Sequence, residues 1–264
     1  MPVPNYPDKH GASAYLTPSA FHESKDVAAS DVPQAVVLCY QPPFFDHVVE
    51  AHTEAEVEYP GAGRLHSLSG TDGRVGVLGG FGIGGPVTAI AMEHLIELGT
   101  ERFCVLGGCG GLGGNVAPGE TVVCDRAIRD DGVSHHYLPS ERYADASERL
   151  VSVLADTFDD TDVDHRTGSS WTTDAIFRET VPEIEHYRDE GVLAVEMEAA
   201  TVFAVAEYRD VDAAAVLRPF DLVLVDDWEP KAGSTVDGLA ALLAPVRDAL
   251  VVDIETHGSV SNAA

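Results

Sequence analysis

Carboxylates stand directly after two apolar runs of the sequence. Glu196 and Glu198 follow the run 193–195 and open a segment with helical spacing, so both are expected near the N-terminus of a helix. A carboxylate held there can accept two hydroxyl groups, which suits the diol of a sugar. Capping of the helix is the alternative interpretation. Asp221 follows the run 213–217, where an acid is placed to act as a general acid or, more simply, to cap a turn.

An aromatic residue opens a polar segment upstream of these carboxylates. The segment reads Trp171-Thr172-Thr173-Asp174, and its indole offers a flat face on which a nucleobase could stack. An indole packed against a surface loop explains the segment equally well.

Two glycine-rich segments, 79–86 and 107–114, flank one helix-like segment. Glycine in regular structure is less stable than alanine by roughly 0.5–1 kcal/mol, so repeated glycines indicate backbone that must approach something closely. Bare amide groups facing a polar or anionic ligand are the predicted reason. The first segment nearly matches a dinucleotide fingerprint, but no acidic residue closes a second strand about 20 residues further on. A P-loop is excluded because no Gly-Lys-Ser/Thr follows.

Strands that alternate with helices must position these residues. Continuous apolar runs predict strands buried on both faces, and the Asp-Gly at 72–73 predicts a hairpin. We therefore expect an α/β fold, a single domain with a central mixed β-sheet flanked by helices at 34–258, after an irregular N-terminal arm, 1–33. The predicted strands are 35–40, 65–68, 75–78, 103–106, 121–128, 163–167, 193–195 and 212–217, and the predicted helices are 44–52, 86–98, 141–158, 181–190, 196–208 and 235–256.

The charge of the chain restricts its partners. The 264 residues include 44 acidic and 16 basic ones, which gives a formal net charge of −28. Such a field repels nucleic acid and anionic membranes. The chain is either an acidic interaction protein or a globular protein of a high-salt cytoplasm, where repulsion is screened within about 3 Å at 1 M salt. The acids lie among ordinary apolar periodicities, which favours the second interpretation.

The cysteines suggest neither a metal site nor a disulfide framework. Cys39, Cys104, Cys109 and Cys124 form no CxxC pair and no zinc spacing with histidine. The N-terminus shows no leader pattern, and no apolar run approaches about 18 residues. We expect a soluble cytoplasmic protein with reduced thiols, no metal, and no nucleic-acid or membrane partner.

Five motifs occur in the order in which they stand in a known enzyme family. They are Gly82-Ile83-Gly84-Gly85-Pro86, Gly108-Cys109-Gly110-Gly111, Arg129-Asp130-Asp131-Gly132, Trp171-Thr172-Thr173-Asp174 and Val195-Glu196-Met197-Glu198. Together they resemble the purine nucleoside and uridine phosphorylase family over roughly residues 35–250. The stretch 82–139 is most similar to uridine phosphorylases, whereas Asp221 and the Trp171 segment are more similar to purine-type and broad-specificity members.

The resemblance implies a role for each matched position. Asp221 would protonate the leaving base, and Glu198 would bind the ribose hydroxyls. The other implied ribose contacts are Met197, Glu196 and Ile83, the implied base contacts are Trp171 and Gly110, and the implied phosphate contacts are Gly82, Gly108 and Arg64, the last from a neighbouring subunit. Arg178, close to the Trp171 segment, is a further candidate base contact or simply an exposed loop residue.

The function implied by the family is cleavage of a purine nucleoside or uridine by phosphate, which gives free base and pentose 1-phosphate. Phosphate is then a co-substrate and no cofactor is needed. The family also implies a homo-oligomer, either a dimer or a hexamer built from dimers.

The phosphate positions depart from the family pattern. Phe45 and Val105 stand where the family has arginines, and Gly108 stands where it has a serine or threonine. Each charge-assisted contact contributes roughly 1.5–3 kcal/mol, so these losses weaken phosphate binding unless Arg126 or Arg129 compensates. Three functions stay open: a nucleoside phosphorylase, which the whole-chain resemblance favours, a hydrolytic nucleosidase that uses water, and a non-catalytic nucleoside-binding relative.

Overall fold

A mixed β-sheet forms the centre of the protein, and its inner strands are the apolar runs of the sequence. The computed structural model describes residues 6, 8–26, 31–117, 119–223, 228–230 and 235–258. The strands are β1 (Ala35–Cys39), β2 (Thr53–Val57), β3 (Arg64–Leu68), β4 (Val75–Gly79), β5 (Arg102–Leu112), β6 (Thr121–Asp130), β7 (Tyr143–Asp145), β8 (His165–Thr173), β9 (Ala194–Glu196), β10 (Asp212–Val223) and β11 (Trp228–Pro230).

Helices connect the strands and cover the sheet. They are α1 (Pro18–Ser24), α2 (Pro42–His52), α3 (Gly85–Leu98), α4 (Ser134–Tyr137), α5 (Glu148–Asp159), α6 (Val181–Asp189), α7 (Ala199–Arg209) and α8 (Thr235–His257), with short 3₁₀ helices at Lys9–Gly11 and Ile176–Arg178.

Five of the strands pair in a closed ring. β10 pairs with β5 in parallel and with β6 in antiparallel, β6 pairs with β8 in parallel, and β9 joins β8 to β5. β1, β4, β3 and β2 extend the sheet outward from β5. Because β1, β5 and β10 are parallel, their carboxyl ends meet at one edge, and β9 ends beside them.

Apolar clusters cover the two faces of the sheet. On β1, Val36 and Leu38 belong to the cluster that includes residues of α3 and α7. The alternate residues Ala35, Val37 and Cys39 belong to the cluster that includes residues of α2, α5 and α8. This alternation is the side-chain period of a strand buried on both faces. The predicted α/β domain with a mixed sheet flanked by helices is confirmed.

Local signals locate several elements well. β3 and β4 form the predicted antiparallel hairpin. Gly99 has φ +112° beyond the end of α3, and its N–H donates to the carbonyls of Leu95 and Ile96, so the predicted glycine C-cap is confirmed. The helix predicted from Glu196 begins at Ala199 instead, since β9 ends at Glu196.

Three other predictions are wrong in part. The helix predicted for 141–158 begins only at Glu148, because Tyr143–Asp145 pairs with β6 as an edge strand. The N-terminal arm is not irregular throughout: α1 forms because Thr17 Oγ1 accepts the Ala20 N–H at 3.1 Å and Pro18 occupies the first turn. The strand predicted for 103–106 is too short, since β5 continues through the second glycine segment to Leu112.

Histidines attach the arm to the rest of the protein. The ring of His22 stacks on that of His94 with centroids 5.1 Å apart, and His10 Nε2 lies 3.0 Å from the carbonyl oxygen of His135. The predicted boundary between arm and domain at residue 34 stays a prediction. Part of the predicted arm lies outside the described residues, as do residues at the C-terminus: these are residues 1–5, 7, 27–30 and 259–264.

Candidate active site

The Glu196 side chain is fixed at the junction of β9 and α7. Its Oε2 accepts the N–H groups of Glu198 at 2.7 Å and Ala199 at 2.6 Å, the first amides of α7. Its Oε1 accepts the hydroxyls of Ser170, at 3.2 Å, and Thr172. A carboxylate has about four acceptor positions, and these donors occupy them. These bonds support the capping interpretation of Glu196, and its implied ribose contact stays a prediction.

Glu198 faces the first glycine segment. Its Oε1 accepts the Gly84 N–H at 2.6 Å, and Gly84 has φ +90°, which few residues other than glycine adopt. The pKa of Glu198 is raised to about 8, by burial first and then by the charge of Glu196, while the Gly84 hydrogen bond acts in the opposite direction. The amide that was expected to face an anionic ligand therefore binds a carboxylate of the protein itself.

One cleft of about 740 Å³ collects most of the predicted residues. It lies at the edge where β1, β5, β9 and β10 end. Its lining includes the predicted residues Ile83, Gly108, Gly110, Glu196, Met197, Glu198 and Asp221. The remaining lining residues are Tyr40, Gln41, Cys109, Ile176, Phe177, Glu179, Val195, Phe220 and Val223.

Glycines in β5 let the end of β10 pack closely against it. A Cβ added at Gly110 would lie 3.0 Å from methyl carbons of Val195 and Val223 and 3.4 Å from Asp221 Oδ1. A Cβ at Gly108 would overlap the ring of Phe220. The second glycine segment therefore accommodates the protein's own side chains. The sequence analysis had expected these glycines to make room for a ligand.

Asp221 reaches the cleft through an irregularity in β10. The register between β10 and β5 shifts between Pro219 and Asp221, and Asp221 then pairs with Gly110. Such a bulge turns a side chain to a new direction. Asp221 lines the cleft, and its predicted role as a general acid stays a prediction.

Trp171 and Arg178 do not contact the cleft. The Trp171 indole is 1% exposed, donates to Asp130 Oδ2 at 3.1 Å and packs 4.8 Å from the Tyr187 ring, so its predicted stacking on a base is wrong. Arg178 is exposed and lines a separate depression that it shares with Trp171 and Asp130. Its predicted base contact stays a prediction.

The predicted phosphate contacts are not assembled in the cleft. Gly82 is exposed outside it, and only Gly108 lines it. Arg64 pairs with Asp46 at 2.9 Å on the surface, so its role through a neighbouring subunit stays a prediction. Phe45, which replaces a family arginine, is 1% exposed, and its ring packs against Gly79.

Two other arginines do not replace the missing charges. Arg129 donates to the carbonyl oxygens of Ser134, Leu138 and Pro139 and holds that turn. Arg126 lies over the Tyr143 ring at 4.5 Å. Neither lines the cleft.

The cleft is strongly acidic. Its lining contains four carboxyl groups, those of Glu179, Glu196, Glu198 and Asp221, and no lysine, arginine or histidine among the described residues. The pKa of Glu179 is raised to about 7, by burial first and then by the charges of Asp221 and Glu183. The cleft therefore suits a neutral or proton-donating ligand better than an anion.

Several lining residues were missed from the sequence. Ile176 and Phe177 are 54% and 96% exposed at the mouth of the cleft, and Glu179 follows them. Large apolar side chains directly after a polar segment are the signal that could have drawn attention to this loop rather than to Trp171.

Comparison with known proteins identifies the family. The family model of the phosphorylase superfamily matches residues 34–241. The chain belongs to this superfamily. The resemblance inferred from the five motifs is thereby confirmed.

Individual relatives in the phosphorylase superfamily match part of the chain. A guanosine phosphorylase from Halorubrum lacusprofundi is 35% identical over 135 residues, 51% of this chain and 56% of that protein. A uridine phosphorylase from Treponema pallidum is 33% identical over 147 residues, 52% of this chain and 57% of that protein. The matched regions thus span little more than half the length of these curated relatives.

A solved structure matches over a longer range. The uridine phosphorylase from Vibrio fischeri superposes with a TM-score of 0.68 at 23% identity, and covers 86% of this chain and 92% of its own. At this identity the likeness shows the fold. Within the described part of the chain, no helix is long and apolar enough to cross a membrane. Across these same residues, no group of three or more His, Cys, Asp or Glu side chains is placed to hold a metal ion.

Proposed function

We propose that the protein is a nucleoside phosphorylase, which cleaves the N-glycosidic bond of a purine nucleoside or uridine with phosphate to give free base and pentose 1-phosphate. The observation that carries the proposal is the presence of Glu198, Met197, Ile83 and Asp221 in one cleft of a phosphorylase-superfamily fold. We further propose that it acts in the cytoplasm as a homo-oligomer, without a cofactor.

The chemistry of the reaction assigns a task to each of these residues. Breaking the bond develops positive charge on the sugar and negative charge on the departing base. Glu198 accepts the ribose hydroxyls and holds the sugar, with Met197 and Ile83 packed beside it. Asp221 donates a proton to the leaving base, a contribution typically of about 10²- to 10⁴-fold in rate.

Phosphate is the component that the cleft supports least. Its lining offers no cationic side chain among the described residues, and the Phe220 ring occupies the space beside Gly108. Phosphate binding would then depend on backbone N–H groups and on Arg64 from a neighbouring subunit. These observations favour a second candidate, a nucleosidase in which water attacks the sugar.

One assay separates these functions. Free base is measured from adenosine, inosine, guanosine and uridine, each with and without phosphate. Release only with phosphate supports phosphorolysis, and equal release without phosphate supports hydrolysis. Binding of a nucleoside without release of base would show a non-catalytic nucleoside-binding protein and contradict both enzymatic functions.

Replacement of Asp221 by asparagine tests the general acid. The amide has nearly the same shape but donates no acidic proton, so Asp221→Asn should lower kcat for purine nucleosides by roughly 10²-fold or more and change KM little. Steady-state kinetics measures both constants. A matched control is Asp210→Asn, since Asp210 caps the far end of α7. Unchanged kcat in Asp221→Asn would remove Asp221 from the catalytic step.

A further inference from the structure

A second cavity lies between the N-terminal arm and the body of the protein. It measures about 730 Å³, and its walls come from the 3₁₀ helix Lys9–Gly11 and from α1, α3, α4 and α7. This volume lies within the range of small-molecule sites, roughly 300–1,000 Å³. The cavity shares no lining residue with the candidate active cleft, so its occupant is independent of the proposed function.

Aromatic side chains form a large part of the cavity wall. Tyr137 from α4 and Tyr208 from α7 pack edge to face, with ring centroids 5.5 Å apart. The Phe21 ring from α1 lies 5.5 Å from the His94 ring of α3. Ile90 of α3 adds an apolar surface that is 58% exposed. Rings arranged in this way offer offset and edge-to-face contacts to a flat aromatic ligand.

Basic side chains gather where the 3₁₀ helix meets α4. Lys9, His10 and His136 line the cavity, and Lys9 Nζ donates to His136 Nδ1. His10 Nε2 lies 3.0 Å from the carbonyl oxygen of His135. Among the described residues, no carboxylate forms an ion pair with Lys9, His10 or His136, and the nearby Asp131 accepts three hydrogen bonds from other donors. This end of the cavity is therefore positive without a countercharge.

The proton affinity of His136 reflects the repulsion among these bases. Its pKa is lowered by burial first, and the basic neighbours that lower it further are Lys9, His135 and His10. The charge of Asp131 acts in the opposite direction but does not outweigh them. A bound anion would remove part of this repulsion.

The polar groups at the other end of the cavity are paired. Glu93 Oε2 pairs with Arg209 Nη2 at 2.7 Å, and the Tyr137 hydroxyl donates to Glu93 Oε1 at 3.0 Å. His94 Nδ1 lies 2.8 Å from His22 Nε2. The pKa of His94 is lowered by burial first and then by His22, while the charge of Glu93 opposes both. The place for an anion is thus the end of the cavity beside the 3₁₀ helix.

We propose that this cavity binds a small organic anion with a flat aromatic ring, whose negative group contacts Lys9 and His136 and whose ring lies against Tyr208 and Ile90. The anion supplies the countercharge that the basic side chains lack. In a chain of formal net charge −28, only a local group of bases can overcome the repulsion of an anion by the whole protein. Aromatic carboxylates and nucleoside monophosphates share the required chemistry.

Binding of such an anion should be tighter at low pH. A negative charge beside His136 raises its lowered pKa, so the complex takes up protons. Benzoate stays ionised over the relevant range, because a carboxylic acid has an ordinary pKa of about 4. Benzoate affinity should therefore increase about threefold or more as pH falls from 7.5 to 5.5.

Calorimetric titration of the full chain at one fixed KCl concentration tests the site. Benzoate carries both ring and charge, acetate only the charge and phenol only the ring, so wild type should bind benzoate at least about tenfold more tightly than either. The pair of 5′-AMP and adenosine makes the same comparison for a phosphate group. Tighter binding of 5′-AMP than of benzoate identifies a phosphate ligand, and the reverse identifies a carboxylate.

Three variants locate the binding site. Lys9→Gln should lower benzoate affinity by about 10- to 100-fold, because a charge-assisted contact is lost. His136→Gln should remove most of the pH dependence, since the amide does not titrate. The matched control is Lys25→Gln, because Lys25 is an exposed lysine at the end of α1 that does not line the cavity, and it should match wild type.

The outcomes do not depend on whether the protein cleaves nucleosides. Benzoate affinity that is equal in Lys9→Gln and wild type overturns the site, and so does absence of binding by both benzoate and 5′-AMP. Benzoate bound no better than acetate or phenol overturns the aromatic anion as its ligand. Binding that requires ring, charge and Lys9 supports the inference even if no base is released in any assay.

Discussion

The Glu198 carboxyl group has opposite preferences for its proton without and with a bound sugar. In the folded protein without ligand it is 7% exposed, accepts the Gly84 N–H, and has its pKa raised to about 8 from an ordinary value of 4.5. Its charged form is therefore unfavourable in the folded state. The same charged form is the better acceptor for two sugar hydroxyls. A ligand that supplies those hydroxyls relieves the desolvation of the carboxylate.

Replacement of Glu198 by glutamine should stabilise the ligand-free protein at high pH. The folded wild type keeps its proton up to about pH 8, whereas the unfolded chain loses it near pH 4.5, so wild-type stability falls as pH rises between these values. The slope is at most about 1.4 kcal/mol per pH unit. Thermal unfolding of Glu198→Gln should show a higher Tm than wild type at pH 8 and a similar Tm at pH 4.5. The exposed control Glu58→Gln should follow wild type, and equal Tm values at pH 8 would contradict the burial of this charge.

The replacement that stabilises the ligand-free protein should weaken nucleoside binding. Glu198→Gln should weaken ribosides more than 2′-deoxyribosides, since only a riboside presents the full diol, and titration of both nucleosides measures the difference. Equal losses for the two sugars would mean that Glu198 does not contact the diol.

Site residues were predictable where one local motif carries them. Glu198, Met197 and Ile83 reach the cleft because the strand-to-helix junction and the glycine turn place them there. Other contacts of Glu196 and Trp171 were not predictable from the local motifs because those partners are distant in sequence. Thr172 satisfies the carboxylate of Glu196, and a cluster formed by Leu112, Ile128, Trp171, Ile184, Val192 and Val195 buries the indole.

At the scale of elements, the contact between α3 and α7 depends on Gly85. A Cβ at Gly85 would lie 2.5 Å from Thr201 Oγ1 and 3.0 Å from Val133 Cγ2. Thr201 is fully buried and donates to Asp131 Oδ2 at 2.7 Å, so it cannot move aside without loss of that bond. The glycine turn before α3 and the helix that follows Glu198 are held together at this point.

Gly85→Ala should therefore destabilise the protein by roughly 1–3 kcal/mol through overpacking. Urea unfolding measures the change. The matched control is Gly11→Ala, because no atom lies within 4 Å of its added Cβ and its backbone is not left-handed. A midpoint for Gly85→Ala equal to that of the control would contradict the close approach of the two helices.

Elements were predictable where the apolar period is strong. The inner strands β1, β4, β5 and β10 contain continuous apolar runs, which their burial on both faces requires. The edge strand β2 was missed because its residues, Thr53–Val57, are partly or fully exposed and include two glutamates. The second half of β5 was not predicted because it is rich in glycine, which has a low strand propensity. Close packing against the neighbouring strand β10 overrides this low propensity.

At the scale of the whole molecule, acidic residues far outnumber the basic residues that could neutralise them. The chain has 16 lysines and arginines for 44 acidic residues. Some of these cations are withdrawn from the surface: Arg102 is fully buried and bonds Asp253 at 2.7 Å, and Arg129 is 6% exposed. Acids are buried as well, namely Asp131, Glu196, Glu198 and Asp253, so the surface keeps the large excess of negative charge that the composition indicates.

Stability should increase with salt because mobile cations screen this repulsion. Tm measured by calorimetry should rise between 0.1 M and 2 M KCl, the behaviour expected of a protein adapted to high salt. A sucrose solution of equal osmolality is the control, since it strengthens burial without screening charge. The same Tm at both KCl concentrations would contradict the halophilic interpretation.

The buried position of Trp171 decides what intrinsic fluorescence can report. The sequence contains two tryptophans, and a Trp228→Phe variant would leave only Trp171 as the emitting indole. That indole is shielded from solvent, bonded to Asp130 and close to Tyr187, so its emission should be blue-shifted, little affected by iodide and sensitised by tyrosine absorption. Its red shift would follow global unfolding, whereas filling of the cleft would leave the spectrum nearly unchanged.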